Sequence, residues 1–111
     1  MTRQRIPYTT DEIRILARQG PPFSEDQSER KCPACGHVSV RTYMHYSEPL
    51  KPGTRAICYT WCANCWRASF YTTEAPAEGF SDPFAQLNRG KIKIEFLNEQ
   101  WDKGVLPQKF G

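Results

Sequence analysis

Two short cysteine turns, Cys32-Pro33-Ala34-Cys35-Gly36 and Cys62-Ala63-Asn64-Cys65, constrain this chain more than any other feature. A Cys-x-x-Cys turn reverses the backbone so that both sulfurs aim at one point. Four thiolates from two such turns complete the closed tetrahedral shell that a soft divalent cation such as Zn²⁺ adopts in structural sites. The turns stand 26 residues apart, at 36–61. That is longer than the most familiar zinc spacings, but it suits an intervening hairpin that brings the turns together. Gly36, directly after the second sulfur, supplies the conformational freedom such a turn needs, and the small Ala34 and Ala63 let backbone amides approach the thiolates.

Competing uses of cysteine explain the pattern less well. The total is odd, five, and the N-terminus Met-Thr-Arg-Gln-Arg-Ile-Pro leads into no apolar stretch of a secretory signal, so metal ligation is expected over disulfides. A redox pair would sit between a strand and a helix and needs one Cys-x-x-Cys, not two. No run approaches membrane-spanning length, and a cytoplasmic protein in a reducing compartment is expected. At 111 residues with 39% hydrophobic side chains, the chain suffices for one compact unit with a packed core. The net charge of +3 arises in the middle: residues 32–73 carry four basic and one acidic group, whereas the flanks are nearly balanced. Such a charge permits nucleic acid or an acidic protein surface without demanding either.

Thr9-Thr10-Asp11-Glu12 reads as a capping box, with the Thr9 hydroxyl accepting from the residue 12 amide and Glu12 reaching back. A helix of about ten residues is expected, with Ile13, Leu16 and Ala17 on one face and Gly20 before Pro21-Pro22 at its end. Residues 23–31 are polar and unperiodic, and read as a loop. Residues 38–46, 55–62 and 66–72 are rich in β-branched and aromatic side chains and read as three strands. Glu48-Pro49-Leu50-Lys51-Pro52-Gly53 is expected to turn the first two into an antiparallel hairpin. Proline and glycine make 74–83 a linker. Ile94, Leu97, Trp101 and Val105 then recur at three- and four-residue steps, predicting a helix near 91–103, although Lys91 to Phe96 also alternates as a strand would.

The middle 42 residues, 32–73, resemble the zinc-ribbon family in their two knuckles and three strands. The implied architecture is α+β: a small zinc-binding domain, a three-stranded antiparallel zinc ribbon, flanked by N- and C-terminal helices. Segments 1–31, 32–73 and 74–111 then form one unit. Cys32, Cys35, Cys62 and Cys65 are the expected ligands of zinc. Cys58, roughly 13 Å along the strand from Cys62, is too far to join them and is expected to pack in the core. His37 abuts the first knuckle, but four cysteines already suffice; His45 reads as a sheet or core residue.

A shell of four thiolates leaves no open position at which water could be activated, and no HExxH, GxSxG or phosphate-cradling loop appears, so no enzyme is expected. Ile57, Tyr59 and Trp61 share one strand face, to which Trp66, Ala68 and Phe70 can add from the neighbouring strand. One or both terminal helices are expected to cover that face through Leu16, Leu97 or Trp101; left open, it would bind a partner. A protein partner is the first expectation, with Arg41, Arg55, Tyr59, Trp61, Arg67 and Trp101 as candidate contacts. The ribbon, the linker and the segment Trp101–Gln108 look like small bacterial zinc-ribbon proteins, some associated with toxin–immunity gene pairs. That resemblance implies an immunity protein that occludes a cognate toxin. The alternative is a nucleic-acid-binding ribbon of transcription or translation, with Arg41, Arg55 and Arg67 on phosphates and Tyr43, Tyr59 and Tyr71 stacking on bases. A third use is as a structural subunit of a larger assembly.

Overall fold

In the computed structural model, which describes residues 6–23, 26–45, 55–74, 82–84, 86–87 and 89–108, helix α1 (Thr10–Ala17) precedes four strands and a C-terminal helix α2 (Ile94–Asp102). The strands are β1 (Arg30–Lys31), β2 (Val38–His45), β3 (Arg55–Cys62) and β4 (Ala68–Glu74), and a 3₁₀ turn spans Arg89–Lys91. They form one antiparallel sheet in the order β1-β2-β3-β4. Four strands, not three, are therefore present. The extra strand lies in the polar stretch expected to be a loop, where two residues pair with Val38 and Val40 through an irregular register. Its Arg30 is held by bonds that no local pattern reveals: the guanidinium lies 4.0 Å from the centre of the Phe23 ring and donates to Leu16 O at 2.8 Å and to Pro21 O. The expected turn at 48–53 and most of the expected linker, 75–81, lie outside the described residues.

Local chemistry sets the helix ends. Thr9 and Glu12 form both bonds of the capping box, at 3.1 and 2.9 Å, and α1 starts at the next residue. The alternation in Lys91–Phe96 is settled as a helix from Ile94, with Ile92 and Ile94 both buried on the approach. Gly104, at φ +83°, closes the end of α2.

Strand parity divides the core between the two sheet faces. Tyr43, Tyr59, Trp61 and Ala68 point one way and pack under Ile94, Leu97 and Leu106. Val40, Met44, Cys58 and Cys62 point the other way, where Tyr8, Leu16 and Phe23 from the N-terminal segment cover them. The sheet is thus a middle layer between the two terminal segments. Two buried polar clusters stitch distant segments onto it. Gln108 accepts from Met44 N at 2.9 Å and donates to Met44 O at 2.8 Å, occupying the β2 edge beyond β1, while Gln27 bonds the same glutamine. Tyr43 donates its hydroxyl proton to Asp82 Oδ1 at 2.5 Å, and His45 Nδ1 lies 2.8 Å from the same Tyr43 hydroxyl and 3.4 Å from Asp82 Oδ2. His45 is thereby a core residue. Among the described residues no helix is long and apolar enough to cross a membrane.

Candidate metal centre

Each knuckle is built by the same backbone bonds. In the first, Gly36 N donates to Cys32 O at 2.8 Å and Cys32 N to His37 O at 2.7 Å; in the second, Trp66 N donates to Cys62 O at 3.0 Å and Cys62 N to Arg67 O at 2.9 Å. The residue after the second cysteine must take positive φ to close the turn: Gly36 does so at +81° and Trp66 at +63°. Glycine adopts that conformation freely, whereas a bulky L-residue incurs about 1–2 kcal/mol. Packing of Trp66 against the aromatic core offsets that cost. The turn also explains why β4 starts at Ala68 and not at the expected residue 66.

The hairpin register brings the knuckles together. Val40 lies opposite Cys62, and Ala63 N donates to Ser39 O at 2.9 Å, so the second knuckle folds over the start of β2 directly after the first. All four sulfurs lie within 4.8 Å of one another, with Cys32 to Cys65 at 3.8 Å and Cys35 to Cys62 at 3.6 Å. A tetrahedron of sulfurs about 2.3 Å from a central zinc has edges of about 3.8 Å, which two of the six edges here match while the rest stay within 4.8 Å. Cys32, Cys35, Cys62 and Cys65 could therefore hold a metal ion.

Electrostatics favours a cation at the same point. Burial opposes ionisation of Cys35, but bonds from the Asn64 side chain and the His37 backbone outweigh it and hold that thiol down to about 6. Burial, followed by the neighbouring Cys62 and Cys32 sulfurs, pushes Cys65 up to about 12. Four thiolates so close together would need a positive charge between them. Two hydroxyls, one buried and one partly buried, complete the surroundings: Tyr8 OH lies 3.0 Å from Cys32 Sγ and Ser39 Oγ 3.0 Å from Cys62 Sγ. Burial pushes the Tyr8 phenol far above its ordinary range, and its bond to Cys32 adds to the shift, so it stays protonated. Asn64 N and Cys65 N approach Cys62 Sγ at 3.4 Å as well. Neither hydroxyl was legible beforehand. Tyr8 is 24 residues from Cys32, and Ser39 reaches Cys62 only through a register that the hairpin loop length leaves open.

The other singled-out residues are dispersed. Cys58 is fully buried with Met44 and Ala56 and takes no part in the cluster; the His37 side chain is exposed. Tyr59 and Trp61 belong to the core under α2, where Trp61 Nε1 donates to Asn98 Oδ1 at 3.0 Å and its ring meets Trp101 edge-on at 6.3 Å. Arg41 is occupied, its guanidinium bonding Glu29 at 3.2 Å, Asn98 at 2.8 Å and Asp102 at 3.1 Å. Tyr43 is buried, Tyr71 and Arg67 are partly buried, and the Arg55 side chain lies outside the described residues. On the same aromatic face, Phe70 remains 57% exposed because α2 covers only the Trp61 end.

No family model, curated protein or solved structure matches this chain. The class it can be given rests on its own geometry: a small α+β protein with a four-stranded antiparallel sheet, two helices and a four-cysteine cluster within metal-binding distance.

Proposed function

We propose that this chain is a zinc-ribbon protein whose single Zn²⁺ is structural, and that it acts by binding a protein partner and not as an enzyme. The observation that carries this reading is the sulfur cluster, whose 3.6 and 3.8 Å edges match a closed tetrathiolate shell. With every position taken by sulfur, the ion has no place for a reacting water.

A protein partner is favoured by the surface left over once α2 is in place. Ile6, Ile15 and Phe70 are exposed, and a groove of about 510 Å³ runs between the N-terminal segment (Pro7, Tyr8, Thr10, Ile13) and β4 (Ala68, Ser69, Phe70, Tyr71) without a charged side chain in its lining. A neutral apolar groove suits a protein better than a phosphate backbone. The nucleic-acid reading also loses Arg41, which is bound to two carboxylates. The toxin of an immunity pair is the particular partner that the sequence resemblance implies. Elemental analysis should return one zinc per chain. Affinity purification from the native host should recover a defined protein that the Phe70→Asp variant no longer retains. Binding of DNA or RNA at low salt with no protein recovered would reverse the order of the two readings.

A further inference from the structure

We infer that Tyr8 couples metal loading to docking of the N-terminal helix, so that α1 and the groove beside it are assembled only around a filled metal centre. The inference rests on reading the four cysteines as a metal site and adds a regulatory consequence to it.

Helix α1 has eight residues, well short of the roughly 12–15 an isolated helix needs in water, so it persists only while docked. Its docking surface consists largely of the metal centre. The buried cluster that receives Leu16 contains Tyr8, Cys32, Val40 and Cys62, with Ile13 and Cys35 at its margin, so three of the four prospective ligands belong to it. Tyr8 is the link. Its backbone N donates to Ser69 Oγ at 2.8 Å while its hydroxyl, buried, meets Cys32 Sγ at 3.0 Å. A metal-bound thiolate accepts that proton strongly, whereas a thiol is a weak acceptor, and without the ion the sulfurs of the two knuckles that the helix packs against are joined only through the backbone of the sheet.

The coupling is reciprocal: whatever metal loading adds to docking, Tyr8 returns to metal affinity. It also reaches the surface. Pro7, Tyr8 and Ile13 form one wall of the groove and Ala68, Phe70 and Tyr71 the other, so release of the segment abolishes the groove. Anchors that do not involve the cysteines act against the coupling. Gln19 exchanges two 2.7 Å bonds with Lys31, and Arg30 Nη1 donates to Leu16 O at 2.8 Å, so the far end of α1 is tied to β1. Whether these suffice alone is what the experiment measures.

Hydrogen exchange read by mass spectrometry on the full chain, loaded with one equivalent of Zn²⁺ and then stripped by a chelator, should show amides 10–17 losing protection. Zinc affinity, from competition with a chromogenic chelator, should fall about tenfold in Tyr8→Phe, the low end of what losing an outer-shell partner causes. Ser28→Ala removes an exposed hydroxyl that bonds Asp26 and no ligand, and should leave the affinity unchanged. Unchanged protection of 10–17 in stripped protein that stays folded, or wild-type zinc affinity in Tyr8→Phe, would overturn the inference while the metal reading stands. If the whole sheet unfolds on stripping, the Tyr8→Phe affinity alone decides. A wild-type chain that takes up no zinc would defeat both.

Discussion

Stripping the metal ion should destabilise the sheet by an amount the connectivity sets from below. An ion held by the cluster would join Cys32 and Cys35 to Cys62 and Cys65 across the 26 intervening residues 36–61, as a covalent cross-link would. For a loop of that length the chain-entropy estimate of a cross-link is about 3.5 kcal/mol. The direct metal–sulfur bonds come on top, since apparent zinc affinities in small metal-dependent folds reach about 10–16 kcal/mol. A chain of this size has a total stability of about 5–15 kcal/mol, so even the lower bound is a substantial share of it. At about 4 °C of melting temperature per kcal/mol, stripping should lower Tm by about 14 °C or more. The assay is thermal melting followed by far-UV circular dichroism, with and without an excess of a strong chelator under reducing conditions. Cys62→Ser, which removes one ligand without any chelator, should reproduce the loss. A shift under about 3 °C in both experiments would show that hydrophobic packing alone holds the knuckles, and the argument from four converging sulfurs would fail.

Other perturbations separate the metal centre from the rest of the fold. Leu97→Ala empties the middle of the cluster around Trp61 on the face away from the cysteines, and should cost about 2–5 kcal/mol in urea unfolding with zinc stoichiometry unchanged. Gly36→Ala places a methyl where no atom lies within 4 Å, so only the left-handed backbone at φ +81° resists it. A loss of about 1–2 kcal/mol is expected, and one above about 3 kcal/mol would reveal a contact absent from the structure. Cys58 is held in its thiol form by burial, which pushes it up from 9.0 to about 11. Its contribution to stability is therefore complete below about pH 9 and is lost as pH rises toward 11; denaturation midpoints should fall across that window, less steeply in Cys58→Ala. Cys58 should also resist alkylation at pH 8 for as long as the protein stays folded.

The features legible in the sequence are those whose causes lie within a few residues. Both Cys-x-x-Cys turns, the Thr9–Glu12 capping box and the limits of β3 at Arg55–Cys62 appear where the residues place them, because turn closure and capping are completed by near neighbours. The misplaced features each had a distant cause. β1 has no alternation of its own and is a strand because β2 offers it an edge and Arg30 is gripped by the α1 end and Phe23. The aromatic face around Trp61 was expected to lie under a terminal helix, but only the packing showed that α2 covers it and that Phe70 stays exposed.

Residue type and spacing alone marked out the four cysteines that converge, since a soft donor set and a five-residue turn are properties of local covalent structure. Tertiary structure alone decided which groups surround that set. Tyr8 meets Cys32 across 24 residues, and Gln27 meets Gln108 across 81. Contacts of such separation depend on how the sheet presents its two faces to the terminal segments, and that depends on the packing of the whole chain, which no local window of sequence contains.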